Sequence, residues 1–118
     1  MYLTGYVLHP YYQRLLNYTT SQHNIVPEPD FVSEITHVAL AFMRPNIFNS
    51  ATLPVEFPLF TTVDAVRVKF AAETKIMVAI GGWGDTEGFS IAARTEESRM
   101  TFAENVRIMI EQTGADGQ

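Results

Sequence analysis

Cysteine is absent from the 118 residues, which excludes a disulfide framework, a thiolate metal site and a cysteine nucleophile. Positive charge is scarce: eight lysines and arginines face 13 aspartates and glutamates, for a net charge of -5. No basic cluster could neutralise a run of phosphates, so nucleic acid is not expected as a partner. No run approaches the ~18 consecutive apolar residues of a membrane span, so no membrane association is expected either. The start, MYLTGYVLHPYY, lacks a basic stretch followed by an unbroken apolar one, so no secretory signal is visible. The expectation is a protein that stays inside the cell or has lost its first segment, with localisation otherwise open. His9, His23 and His37 have no ligand spacing on one element, and no metal is expected. Tryptophan occurs once, at Trp83.

What is present is globular. Hydrophobic residues make up 47% of the chain and mean hydropathy is near zero at +0.02, which suits one soluble domain at this length. Residues 3–8 form a short apolar and aromatic run ended by His9-Pro10, a natural strand terminus because proline lacks an N–H. Residues 11–18 carry Tyr11, Tyr12, Leu15, Leu16 and Tyr18 at helical spacing before Pro27-Glu28-Pro29 breaks the chain. ITHVALAFM, residues 35–43, is apolar over a strand-like length and suits a strand buried on both faces. Residues 44–60, with three prolines and several large apolar side chains, are expected to pack as a structured loop. Thr61 or Thr62 can cap a second helix with Val63, Val66, Phe70 and Ala71 on one face. KIMVAI, residues 75–80, is the third strand, and Gly81, Gly82, Gly84 and Gly88 open a loop after it. Thr95 caps a long helix with Glu96 and Glu97 at its positive end, Phe102, Val106 and Met109 on one stripe, and Gly114 to end it. Alternation of strand and helix predicts an α/β fold with a parallel sheet and right-handed crossovers, either open or an arc of a barrel.

The glycine loop around Trp83 admits four readings. A nucleotide site is disfavoured because Gly-Trp-Gly-Asp-Thr-Glu from Gly82 puts Glu87 where a dinucleotide fingerprint needs its third glycine, and no lysine follows to make a P-loop. A nucleophilic hydrolase is disfavoured because Gly-x-Ser-x-Gly occurs nowhere, Ser90 included. Two readings stay open on pattern alone. In one, glycines make a turn and Trp83 plugs the core. In the other, bare backbone admits a sugar and the indole offers a flat apolar face to a pyranose, at the carboxyl end of a parallel strand where ligands bind.

Gly5-Tyr6-Val7, ITHVALAF at residues 35–42, KIMVAIGGW, and Thr113-Gly114-Ala115-Asp116-Gly117 follow one another in an order and spacing that resembles the family 18 glycoside hydrolases, in particular fungal chitinases. They look like the family's first three barrel strands and the approach to its fourth, which carries Asp-Gly-x-Asp-x-Asp-x-Glu. The resemblance implies a partial (β/α)8 TIM barrel, the first three β/α units plus the start of strand four, with residues 1–118 as the amino-terminal part of an incomplete catalytic domain. Such a barrel takes ~250 residues.

The resemblance also implies a reaction: hydrolysis of β-1,4-linked N-acetylglucosamine polymers, chitin or its oligosaccharides, with no cofactor. In the family a glutamate protonates the glycosidic oxygen while the substrate's own N-acetyl group attacks the anomeric carbon, a substrate-assisted exception to the two-carboxylate scheme. Asp116 matches the first aspartate of the motif and Gly117 its glycine; Gln118 stands where an apolar residue is usual, and the acid glutamate is not among the 118 residues. Asp116 is the candidate catalytic residue, and Tyr6, Phe42, Gly81, Gly82 and Trp83 are the candidate substrate-binding residues. Ala79 replaces the family's serine, which removes an expected hydroxyl partner of Asp116 and leaves its support to Tyr6. This chain by itself is expected to be inactive, and a truncated remnant or a chitinase-like protein that binds sugar without cleaving it is the alternative. Without the resemblance, Tyr6 and Phe42 read as core and Asp116-Gly117 as a turn.

Overall fold

The computed structural model describes the backbone of Gly5–Val7 and residues 32–118. The expected helix at residues 11–18, the proline-rich break after it, His9 and His23 lie outside the described residues. The described elements run β1 (Gly5–Val7), β2 (His37–Met43), a 3-10 helix (Pro45–Asn49), α1 (Val63–Arg67), β3 (Lys75–Ile80), α2 (Glu87–Ala92) and α3 (Glu96–Thr113).

β2 and β3 are parallel, with Val38 beside Ile76, Leu40 beside Val78 and Ala41 beside Ala79. Val38, Leu40, Ile76 and Val78 are fully buried. Their strand neighbours His37 and Lys75 are exposed, and Ala39, Met77 and Ala79 are half-buried. Among the described residues the large core side chains therefore lie on one face of the sheet, where the sequence predicted burial on both, and on the other face Ala41 alone of β2 is buried; an apolar run cannot say how each face is covered. Between Ala41 and Met43 the register shifts by a bulge. A bulge re-aims the side chains that follow it: Met43 stays buried while Phe42 turns outward to 37% exposure.

β1 corrects a second expectation. It pairs with β2 antiparallel, Gly5 against Ala41 and Val7 against Ala39, so the sheet, in the order β1-β2-β3, is mixed rather than all-parallel. A short segment can satisfy the free N–H and C=O groups of an edge in either direction, and antiparallel pairing is slightly the stronger per residue. Apolar content carries no signal of direction.

The helices cover the buried face. In α1, Thr62 accepts the Ala65 N–H at 3.1 Å through its side-chain oxygen, with Asp64 in the first turn and Arg67 in the last. α1 is shorter than its apolar face predicts. After Arg67 the chain tightens into i to i-3 bonds, Lys69 N–H to Val66 O and Phe70 N–H to Arg67 O, in a stretch with three valines, which are middling helix formers. Phe70 still packs against the core. α3 keeps both expected ends: a capping box between Thr95 and Ser98, and Gly114 in the left-handed conformation at φ 74°, where glycine escapes the Cβ penalty.

Two elements were not expected. The segment after β2 contains the 3-10 helix, started by Pro45 and anchored by the buried Phe48. The buried Asn105 of α3 donates to the carbonyls of both Phe48 and Ser50 at 2.9 Å, which ties this segment to the long helix and satisfies two backbone acceptors. Gly88 does not extend the glycine loop: it lies inside α2, buried against the 3-10 helix. The core joins Val38, Leu40, Met43, Phe48, Val63, Val66, Ile76, Val78, Val106 and Met109.

Candidate active site

The carboxyl ends of β2 and β3 are where a parallel sheet presents ligand-binding groups. Beyond the last residue of β3, the Gly81 N–H donates to Met43 O at 2.9 Å, so the two strand ends stay paired. Gly82 follows with φ 115°, and a Cβ there would lie 3.2 Å from Cγ of Phe42. Only glycine accommodates both the positive φ and the ring pressed against the backbone.

From Gly82 the chain makes a four-residue turn closed by the Asp85 N–H to Gly82 O bond at 3.3 Å. Gly84 supplies φ 80°, the positive value that the third position of a type II turn demands. Trp83 occupies the tip, and its relative exposure is 103%. The indole is therefore no part of the core. Phe89 of α2 flanks the other side of Gly81: a Cβ on Gly81 would lie 3.0 Å from its Cε2, and the ring is itself partly exposed. On the β2 side, Arg44 Nε lies 3.6 Å from Asp85 Oδ2.

The site thus combines exposed aromatic rings, stripped backbone and one ion pair. Aromatic faces bind the apolar C–H face of a sugar ring, and charged or backbone groups at their rim can hydrogen-bond its hydroxyls. A separate groove lined by Glu56, Phe60, Thr62, Asp64 and Gln112 lies beside α1 and shares no residue with this platform.

The model of the glycosyl hydrolases family 18 matches residues 8–117. The chain belongs to that family. No curated protein and no solved structure matches it. For a family 18 chain, carbohydrate is the substrate class, and the exposed aromatic platform is compatible with that chemistry.

Of the residues singled out in the sequence, Phe42, Gly81, Gly82 and Trp83 come together at the carboxyl ends of the strands. Tyr6 sits in β1 opposite Leu40, and its side chain lies outside the described residues. Asp116 is elsewhere. Its N–H donates to Ile76 O, and Gly117 forms a parallel bridge with Met77, so Asp116 is level with the start of β3. At ~3.3 Å per residue, that is roughly 16 Å along the strand from Gly81.

There Asp116 Oδ2 accepts from the Ile76 N–H at 2.8 Å and from Arg67 Nη1 at 3.0 Å. Arg67 Nη2 also donates to Gly114 O at 2.9 Å, so one guanidinium joins the ends of α1 and α3 to the residue that follows them. Ala79 is three residues further along β3, about 10 Å beyond the level of Ile76. Among the described residues, Asp116 draws its support from a backbone amide and an arginine; the sequence, with alanine at position 79, left that support to Tyr6, whose side chain lies outside the described residues.

The Ile76 N–H, with Arg67 adding to it, holds the Asp116 carboxyl below its ordinary range against the opposing effect of desolvation. A carboxylate with a depressed folded pKa stabilises the fold above the unfolded value, near 3.9, and loses that contribution as pH falls through the lower folded value. Asp116→Asn is accordingly expected to be less stable than the wild type at pH 7, with the gap narrowing below about pH 4. Urea unfolding of both proteins at pH 7 and pH 3 checks this; a gap that widens in acid would contradict it.

Arg44, Asp85 and Phe89 went unrecognised in the sequence. Arg44 carried one available signal, its place directly after the apolar run of β2, and Phe89 was hidden because α2 was unforeseen. Among the described residues, no group of three His, Asp or Glu side chains could hold a metal ion. No helix among them is long and apolar enough to cross a membrane.

Proposed function

We propose that this chain supplies part of the substrate cleft of a chitinase-type hydrolase acting on β-1,4-linked N-acetylglucosamine, with Trp83 and Phe42 as sugar-stacking surfaces and Gly81 and Gly82 as the bare floor between them. The observation that carries the reading is the complete exposure of Trp83 at the carboxyl end of β3, on a turn built by two glycines with positive φ. A lone tryptophan in full contact with water contributes no burial to folding, and the flat apolar face it presents suits contact with a sugar ring.

The proposed architecture is the first part of a (β/α)8 barrel. Support comes from the parallel pairing of β2 with β3 and from the Met77 to Gly117 bridge beside it; β1, paired antiparallel, offers none. The proposed chemistry is substrate-assisted retaining hydrolysis, with the acid supplied by the glutamate of the family motif. That glutamate is not among these 118 residues, and Asp116 lies at the far end of β3 from the platform, bonded to Ile76 and Arg67. The 118-residue polypeptide is therefore expected to bind sugar and not to cleave it.

Titrating the chain with N-acetylglucosamine oligomers while following Trp83 emission tests the platform. The expected result is a saturable blue shift with no release of shorter oligomers. Unchanged emission up to millimolar sugar would remove the platform reading, and turnover that survives Asp116→Asn and Glu87→Gln would remove the expectation of inactivity.

A further inference from the structure

The turn that carries Trp83 is fixed on one side only by packing. Gly81 is hydrogen-bonded to Met43, and Gly82 lies against the Phe42 ring, so the entry to the turn is held by the end of β2. At the exit, Gly84 has open space where a side chain would be, and the single backbone bond across the turn, Asp85 N–H to Gly82 O, is long at 3.3 Å. With nothing else, the tip would hinge about Gly82, whose missing Cβ leaves its dihedrals free.

Asp85 closes that gap. Its side chain is partly shielded from solvent, at 24% exposure, while the guanidinium-bearing side chain of Arg44 is open at 83%, and the two meet at 3.6 Å. Arg44 is itself in a restrained place. It directly precedes Pro45, which confines it to the extended region, where it is found at φ -71° and ψ 130°. Its carbonyl accepts the Ile47 N–H as the 3-10 helix begins. The cation thus projects from a stiff segment that continues β2, and it reaches across to the turn that continues β3.

We propose that Arg44 and Asp85 form a strap between the two strand ends that fixes the pose of Trp83, making them positioning residues for the sugar platform. The inference rests on the sugar-binding reading above for its ligand, while the strap itself can be tested without one. An exposed ion pair is weak, so its effect is expected in the order of the turn rather than in the stability of the fold. Because Arg44 is open to solvent, salt should loosen it.

The test compares the wild-type chain with Asp85→Asn, Arg44→Gln and the charge-swapped double variant Arg44→Asp/Asp85→Arg. The first readout, taken without sugar, is the fluorescence anisotropy of Trp83, which is unambiguous because the chain has one tryptophan. Wild type is expected to show higher anisotropy than either single variant at low salt and to fall to their level in 1 M NaCl. The single variants should be insensitive to salt, and the swapped pair should recover both the anisotropy and its salt dependence. The second readout is calorimetric affinity for an N-acetylglucosamine tetramer, with about a two- to fivefold loss expected in each single variant, the range an exposed ion pair can supply.

Equal anisotropy in wild type and single variants overturns the strap. Lower anisotropy with unchanged tetramer affinity overturns its positioning role. If the wild type binds no tetramer, the sugar-binding function falls instead, and anisotropy alone then decides whether the strap exists. Far-UV circular dichroism of each variant accompanies both readouts; the substituted side chains lie outside the core, so native spectra are expected throughout.

Discussion

Truncating Phe48 to alanine is expected to lower the unfolding free energy by about 3–5 kcal/mol, the usual cost of a buried phenylalanine. Phe48 is fully buried. Its ring stacks on Phe57 with centroids 6.2 Å apart and meets Phe102 at 5.5 Å in a tilted arrangement. It therefore joins three parts of the chain that share no hydrogen-bonded sheet: the 3-10 helix, the loop after it and α3. Asn105 fixes the Phe48 carbonyl from the other side, so the backbone cannot simply sink into the cavity the ring leaves. Domains of this size are stable by roughly 5–15 kcal/mol, and such a loss removes a large share of the total. Equilibrium denaturation followed by far-UV circular dichroism measures it. A cost below about 1 kcal/mol would mean that the layer behind the glycine loop is not packed as described.

Gly88→Ala is a sharper test because two effects of opposite sign compete. In the interior of a helix, alanine is favoured over glycine by about 1 kcal/mol. Here a Cβ would stand 2.7 Å from the backbone nitrogen of Asn46 and 2.8 Å from the carbonyl carbon of Pro45. Backbone atoms cannot rotate aside, so α2 must move off the 3-10 helix. Overpacking of this kind costs typically 1–3 kcal/mol and occasionally more. The bond from Asn49 Nδ2 to Gly88 O, at 2.8 Å, would lengthen with it. The expected net result is destabilisation by up to about 2 kcal/mol, with a loosened Phe89 beside Gly81 as its local sign. Measured stabilisation would show that α2 does not lie this close to the 3-10 helix.

How far the sequence could be read followed from which residues carry local signals. KIMVAI gave the third strand with both ends correct, because its apolar run is bounded by a charged residue and by glycine. Thr62, Thr95 and Gly114 gave helix ends, because a capping hydroxyl and a left-handed glycine act within their own turn. α2 was unreadable: a six-residue helix with glycine at its second position has poor propensity, and the close contact with Pro45 and Asn46 that holds it comes from a segment some forty residues earlier. The direction of β1 was also unreadable, since a short apolar run fits an edge either way.

The site divides along the same line. Family likeness picked out Phe42, Gly81, Gly82 and Trp83 together, yet the outward turn of Phe42 depends on the bulge between Ala41 and Met43, which alternation of apolar residues does not announce. Asp116 was read through the motif as chemistry; its observed partners, Ile76 and Arg67, come from β3 and α1 and could be known only once those elements were packed. The ion pair of Arg44 and Asp85 likewise needs the ends of β2 and β3 to be side by side.

The full solvation of Trp83 makes the chain's only intrinsic indole probe blind to folding. Its surroundings are water in the native state and water again in the unfolded chain, so emission wavelength should hardly change across a denaturation curve. A flat tryptophan signal in such an experiment is consistent with a cooperative transition in the backbone. Conversely, any blue shift at constant secondary structure records contact of the tip of that turn with something outside the protein, whether a sugar, a detergent or a second copy of the chain.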